Sequence, residues 1–567
     1  MSGMGKLLQE LLRDSDALRK KRHTVQQMMT ERSRYETVWE QLSKYINPTR
    51  GRLHEDRTGE GGRRDWRLLD PYPMEASSKC AAGLHSGLTS PSRPWFALGL
   101  QDDELAEYHT VKLWLEECQD IMMGLYAKSN IYNMLMNIEA ELTQFGTAAA
   151  LILEDYNYGV WARPFTCGEY AGEVDARGRV TTFARKFKMT AQQMVREFGE
   201  DVVSDAVRTA YHHQDMTTLF EISMLIEPNP NFRPDEQQRL LNFKYRSYYF
   251  ESKVGDKFLK VSGFHEAPFL MPRWTVVANG VYGVGPGHAA LGNCMQLQKL
   301  EELNMRLLEN RADPPMLVPT SVGKVGTLPG QQTKVPDNLI NQVRPLYSIT
   351  GDRNEVLQAI QYKQSQIGSA FFNDLFVMLS QADNPQMTAR EVAERHEEKL
   401  LMLSPVLEQM HNEVLAPLTR RSFEICYRNG LLPPVPAELE GHEDTLKVEF
   451  VSLLAQAQKS VGTNAMEKTL ALAGNLVGIA PDVLDNLNLD SALREHAQMS
   501  GTPESIMRDE DEVAKLRKER ATQQQQQQEL QNAAAMAGPL KDGVEAARLL
   551  SQTPVGDSSL NDILGGG

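Results

Sequence analysis

Apolar positions recur at helical spacing along most of this chain, and one region of its first half alternates instead in the manner of strands. The clearest helical stretch follows the glycine-rich turn Gly283-Val-Gly-Pro-Gly287 and runs from His288 to about Arg311. There Leu291, Met295, Leu300, Leu303 and Leu307 separate from Gln296, Lys299, Glu302, Arg306 and Glu309 onto different faces. A second helical pattern covers Arg353 to Ser380, and its stripe of Val356, Ile360, Ile367, Phe371 and Leu375, widened by Leu357, Phe372, Phe376 and Leu379, exceeds what one neighbour needs. At ~1.5 Å per residue each helix spans about 35–40 Å. Between them lies an excursion, residues 313–352, with six prolines for stiffness and four glycines for turns. The pair therefore reads as a stalk carrying a compact tip with two or three short strands. After a break at Gln381–Gln386, Thr388 and Glu391 form a capping-box pattern that opens a third helix, continuing to about Asn429 with kinks expected near Pro405 and Pro417.

Upstream, Tyr35, Val38, Trp39, Leu42 and Ile46 predict a helix over Thr24–Ile46, ended by Asn47-Pro48. Residues 50–67 hold six arginines among glycines and acids, which reads as a solvated loop or, alternatively, a phosphate- or partner-binding arm. Helices are expected over Met74–Leu88, about Tyr108–Tyr126 and Ile131–Phe145. The pattern then changes to strands at Ala148–Leu153, Val160–Phe165, Val180–Phe187, Thr217–Ile226, Phe243–Phe250 and Lys257–Val261, with one short helix marked by Thr190, Gln193 and Gly199. Beyond the linker Leu431–Pro436 come a strand at Leu446–Val451, helices over Leu453–Val477, Ala480–Leu487 and Ser491–Met499, and a last helix from Pro503 towards Ala537 that contains the run Gln523–Gln528. Residues 538–567 read as a tail. The fold class is α+β, predominantly helical.

The net charge of −15 argues against a surface that grips phosphate backbones throughout. Residues 1–70 carry 15 Lys+Arg against 11 Asp+Glu, so the remainder of the chain holds about −19. Five scattered cysteines with no C-x-x-C pair indicate neither a disulfide framework nor a zinc site, and a reducing compartment is expected. No apolar run is long enough to span a bilayer, so no membrane partner is expected.

Chemistry is harder to find. Gly83-Leu-His-Ser-Gly87 places His85 where a nucleophile elbow needs serine, so Ser86 is not read as a nucleophile. Pro286 removes a donor that a phosphate would use, which makes Gly283–Gly287 a tight turn and helix start. No P-loop occurs, and His212-His213, His265-Glu266 and His396-Glu397-Glu398 complete no metal spacing. No catalytic, cofactor or metal residues are expected.

The series Glu266-Ala-Pro-Phe-Leu-Met-Pro-Arg273-Trp274, Val281-Tyr-Gly-Val-Gly-Pro-Gly287 and Pro314-Pro-Met-Leu-Val-Pro319 resembles the portal proteins, or head-to-tail connectors, of short-tailed bacteriophages. The likeness extends through Trp39–Pro48, Leu69–Pro73, Gly83–Pro91 and Met387–Glu391 and covers roughly residues 20–500. It implies a ring, usually of twelve copies, at one capsid vertex. It also implies a wing (1–287), a stem (288–312 and 353–380), a clip (313–352), a tunnel loop (381–387), a long kinked wing helix (388–430), a crown (431–508) and a carboxyl-terminal helix and tail (509–567). Implied partners are double-stranded DNA in transit, terminase, a tail adaptor, and capsid and scaffolding proteins, with assembly in the host cytoplasm and residence in the virion. Asp383, Asn384, Pro385 and Gln386 would face DNA, while Lys324, Lys334 and Arg344 would meet a partner at the clip. The competing class is an intracellular helical scaffold or adaptor that never meets DNA.

Overall fold

In the computed structural model, the described residues are 14–53, 68–92, 94–100, 102, 105, 108–233, 242–253, 255–326, 331–346, 353–380, 403–439, 446–450, 469–474, 487–500 and 510–536. The chain divides into two compact units, Met1–Gly501 and Thr502–Gly567. The second is described through one helix, Glu510–Met536, which carries the glutamine run.

The first unit is arranged around a helix that is buried on every side. Helix α1 spans Ser15–Tyr45, α2 Tyr72–Leu88, α3 His109–Lys128 and α4 Ile131–Phe145. From Ile138 to Phe145 every residue of α4 is buried, including Glu139, Glu141, Thr143 and Gln144. Burying polar groups is costly unless each finds a partner, and all of these find at least one, although the Gln144 Oε1 has none. Glu139 accepts from His85 Nδ1 at 3.0 Å and Thr89 Oγ1 at 3.2 Å. Glu141 accepts from Arg50 Nη1 at 3.1 Å, Thr166 Oγ1 at 2.9 Å and the Cys167 backbone N–H at 2.9 Å. Gln144 donates to the Asn47 carbonyl at 3.1 Å.

Strand β1 is Phe96–Leu100, β2 Ala149–Asp155, β3 Gly159–Phe165, β4 Tyr170–Val174, β5 Val180–Thr190, β6 Leu219–Pro228, β7 Tyr245–Glu251, β8 Phe258–Phe264 and β9 Phe269–Leu270. Five of them form an antiparallel meander, β4-β5-β6-β7-β8, and β3-β2-β9 form a second sheet. The first half of α1 lies on one face of the meander, where Leu18, Val25 and Met28 pack with Leu225, Tyr248 and Phe250. Two short helices, α5 (Ala191–Phe198) and α6 (Asp205–His212), cover the other, where Met194 and Val207 pack with Ile222 of β6. The second half of α1 enters the main core with Trp39 and Leu42.

Thr190 caps α5 with both halves of the box, as its sequence predicts. Several elements differ from the sequence reading. Helix α1 begins at Ser15 instead of Thr24, because Asp14 accepts the Ala17 N–H at 2.9 Å and Leu18 and Val25 reach the sheet. Two helices rather than one lie between the strands, and β4 and β9 are additional strands. Strand β12 (Leu446–Phe450) does form, pairing antiparallel with β1. All five cysteines are buried and unbridged, and burial raises every thiol pKa, to about 12 at Cys118 and Cys294 and about 11 at Cys426.

The third long helix is described from residue 403, and Pro405 falls within it. It contains a π turn at His411–Leu415 before continuing as α10, Ala416–Arg428. Pro417 has no N–H for the Glu413 carbonyl, so the predicted disturbance takes the form of a widened turn in which Ala416 N–H reaches the His411 carbonyl. The turn swings Glu413 onto Arg273, which is 4% exposed and also donates to the carbonyls of Gly280 and Gly178 at 2.9 Å each. Arg421, on α10, donates to the Ile152 carbonyl at 2.9 Å and to Glu266 at 3.0 Å, fixing this helix to β2.

Candidate functional site

The helical pair and its tip grow out of this packed block through the glycine turn. Helix α7 spans Pro286–Ala312, with Pro286 at its first position and the Gly285 N–H donating to His288 Nδ1 at 3.2 Å. The glycines serve close packing. A β-carbon on Gly285 would lie 2.5 Å from the Leu142 carbonyl oxygen, and one on Gly287 would lie 2.2 Å from that of Gln144. The turn therefore presses against the end of α4, and phosphate binding there has no support.

Helix α8 spans Arg353–Ala370 and runs beside α7. Their near ends are tied down by Gln298, which donates to the Asp70 carbonyl at 2.7 Å while its own oxygen accepts the Leu69 N–H at 2.7 Å. The Asp70 carboxylate in turn accepts from Gln364 Nε2 at 2.9 Å, and Lys363 Nζ donates to Asn293 at 3.1 Å. Along α7 the buried residues Ala290, Cys294 and Leu297 stop at Gln298, apart from Asn304. Farther out, Leu303 is 46% and Met305 53% exposed, and on α8 Tyr362 is 61% exposed. The broad stripe of the second helix is itself covered, with Ile360, Ile367, Phe371 and Leu375 buried and Val356, Leu357, Phe372 and Phe376 half-buried, so the apolar surface left open within one chain is on the outer part of α7 and at Tyr362.

The tip holds two short strands, β10 (Met316–Leu317) and β11 (Arg344–Pro345), paired antiparallel, and a 3-10 turn at Asp337–Gln342. Lys324, Lys334 and Arg344 are all exposed there, and none forms an ion pair with a described residue. The helix predicted over Arg353–Ser380 is broken. Helix α8 ends at Ala370, Phe371 and Phe372 form a turn in which Phe372 takes the left-handed φ of 57°, and α9 then runs Asn373–Ser380. A left-handed phenylalanine costs conformational energy. Here packing offsets it, since Phe372 stacks on Trp274 at 6.3 Å and the Phe376 ring lies against Gly83, where a β-carbon would be 2.3 Å away. Helix α9 leads to residues 381–402, so Asp383, Asn384, Pro385 and Gln386 lie outside the described residues.

Ser86 sits on α2 with its hydroxyl donating to the Gly83 carbonyl at 3.1 Å. Its neighbour His85 faces Glu139, whose hydrogen bond raises the His85 pKa against the opposing effect of burial. Among the described residues, no three His, Cys, Asp or Glu side chains converge as metal ligands do, and no helix is long and apolar enough to cross a membrane.

A family model described as "Bacteriophage head to tail connecting protein" matches residues 19–507. The chain is 37% identical over 542 residues to a probable portal protein of Bordetella phage BPP-1, covering 95% of this chain and 96% of that one. It is 37% identical over 539 residues to the portal protein of Salmonella phage epsilon15, covering 94% and 95%. A chain from the virion of a gene transfer agent particle aligns over 76% of this chain and 95% of its own, at a TM-score of 0.35 and 11% identity. With a family match across most of its length and relatives at this identity, the chain belongs to the bacteriophage head-to-tail connecting proteins.

Proposed function

We propose that copies of this chain form the portal, a ring at one capsid vertex through which double-stranded DNA enters and leaves the head. The observation that carries this is the 37% identity to portal proteins across about 95% of the chain. The uncovered outer half of α7 supports it, because exposed apolar side chains on a long helix are surface that a neighbouring copy would cover. The adaptor reading has no observation of its own in its favour.

In this reading α7 with α8 and α9 is the stem, residues 313–352 the clip, 1–287 the wing, 388–430 the long wing helix, 431–508 the crown, and 509–567 the carboxyl-terminal helix and tail. The ring holds twelve copies and assembles in the host cytoplasm together with capsid and scaffolding proteins. The clip docks terminase during filling and a tail adaptor afterwards, with Lys324, Lys334 and Arg344 as its cationic contacts. Asp383 to Gln386 meet the DNA. The role is mechanical: few fixed cations along the bore let a polyanion slide, in keeping with the chain's net charge of −15.

Negative-stain images and native mass spectrometry of the purified chain test the ring. Closed rings with a central hole are expected, and a monomer or dimer would overturn the proposal. Replacing residues 381–386 by Gly/Ser should leave the ring intact but impair packaging or genome retention, and unchanged packaging would remove those residues from the mechanism.

A further inference from the structure

A broad groove lies where α1, β3, β5 and α5 meet, enclosing about 2040 Å³. Sites for small ligands usually hold about 300–1,000 Å³, so this groove is sized for a segment of polypeptide. Eight Lys and Arg and five Glu side chains line it, although the whole chain is at −15. Each of the five glutamates already faces a cation within 4 Å: Glu36 at Arg32, Glu141 at Arg50, Glu169 at Arg52, Glu221 at Lys186 and Glu197 at Lys260. Arg163 and Arg185, like Lys188 and Arg196, have no carboxylate within 4 Å among the described residues, although the charge of Glu169 is felt at Arg185.

Arg185 is the most unusual of these. It is only 8% exposed, and its guanidinium lies 4.5 Å from the Phe165 ring and 4.6 Å from the Phe187 ring, with no acceptor for its buried Nε. Arg163 stands over Phe165 from β3 at 5.9 Å. Burial, with Arg163 next to it, lowers the Arg185 pKa to about 10. A buried guanidinium held against two rings, with its Nε unpaired, is preorganised for a planar two-oxygen partner.

We infer that Arg163 and Arg185 form a receptor for a carboxylate-bearing segment of a second copy of this chain, seated in the groove. The inference rests on the ring reading. Head-to-tail contacts join two different surfaces of one chain, and a positively charged groove on an otherwise acidic chain supplies one of such a pair. A DNA duplex fits less well, because Arg185 is only 8% exposed, so a narrow side-chain carboxylate reaches it more readily than a phosphate held on a rigid double-helical backbone.

The test uses the full chain with Arg163→Glu, whose side chain is exposed, and the double variant Arg163→Glu/Arg185→Met. Far-UV circular dichroism reports the fold, and native mass spectrometry over a concentration series reports assembly. A fold like the wild type's is expected, with assembly shifted to roughly tenfold higher concentration or more. If the double variant misfolds, Arg163→Glu alone decides. Wild-type rings beside variant rings of unchanged stability overturn the receptor while leaving the ring reading standing. Variant rings that assemble normally but lose DNA from filled particles overturn it in favour of phosphate contact. A wild-type chain that stays monomeric overturns the ring reading and the receptor together.

Discussion

The block around α4 and the pair α7–α8 are both made of amphipathic helices, yet they differ in how far one chain satisfies them. In the block, even the polar residues of α4 are buried and bonded, and ion pairs reach across long stretches of sequence, as between Arg273 and Glu413. In the pair, side-chain bonds fix the near end at Asp70, Gln298 and Gln364, and beyond it Leu303 and Met305 stand open. Folding free energy is therefore concentrated in the block. The pair is positioned by the block and left with unspent surface, the division expected of a subunit whose outer parts are completed by assembly.

That contrast can be broken experimentally. Arg273→Met takes the guanidinium from Glu413, leaving it only the backbone N–H of residue 273, and removes the donor to two backbone carbonyls, so unfolding free energy should fall by ~3–5 kcal/mol in denaturant titrations. A loss below about 1 kcal/mol would show that the block does not depend on this contact. Gly287→Ala should cost ~1–3 kcal/mol, since the new methyl meets the Gln144 carbonyl, and should lower the melting temperature.

The pair His85 and Glu139 makes a smaller, pH-dependent contribution. Its folded His85 pKa lies above the ordinary value of 6.5, so the stabilisation is fully present below that pH and is lost as pH rises through the raised value. Melting temperatures measured across pH 5.5–8.5, roughly bracketing the ordinary histidine range, should fall with pH in the wild type and flatten in the double variant His85→Gln/Glu139→Gln, since burial raises the Glu139 pKa as well and His85 holds it down. Leu303→Ser with Met305→Ser should change the stability of the isolated chain by only about 0.5 kcal/mol each, yet weaken ring formation seen by native mass spectrometry. A large loss of chain stability from these two would mean that the pair belongs to the block's cooperative unit.

Periodicity made most of the fold legible, because α4, α7 and β5 to β8 follow their hydrophobic spacing closely. What it missed has physical causes. Glu139 and Glu141 occupy positions that spacing assigns to solvent, and their partners lie 54 and 91 residues away, so no local signal marks them as buried. Phe372 breaks a helix without a glycine or proline at the break, held there by Trp274 from a distant segment. Strand β4 is only five residues long and α6 eight, too short for a firm period. Of the site residues, the exposed cations of the tip could be read from the sequence. The pairing of Arg163 with Arg185 could not, since it arises where two separate sheets meet.

The five cysteines give the protein an experimental convenience. Thiolates do the reacting in alkylation and disulfide exchange, and these thiols are both shielded and held protonated. The native chain should thus be a blank background for sulfhydryl reagents. A single cysteine placed at Leu303 or Arg163 would become the one reactive handle, able to report by crosslinking or by an attached fluorophore which neighbour it meets.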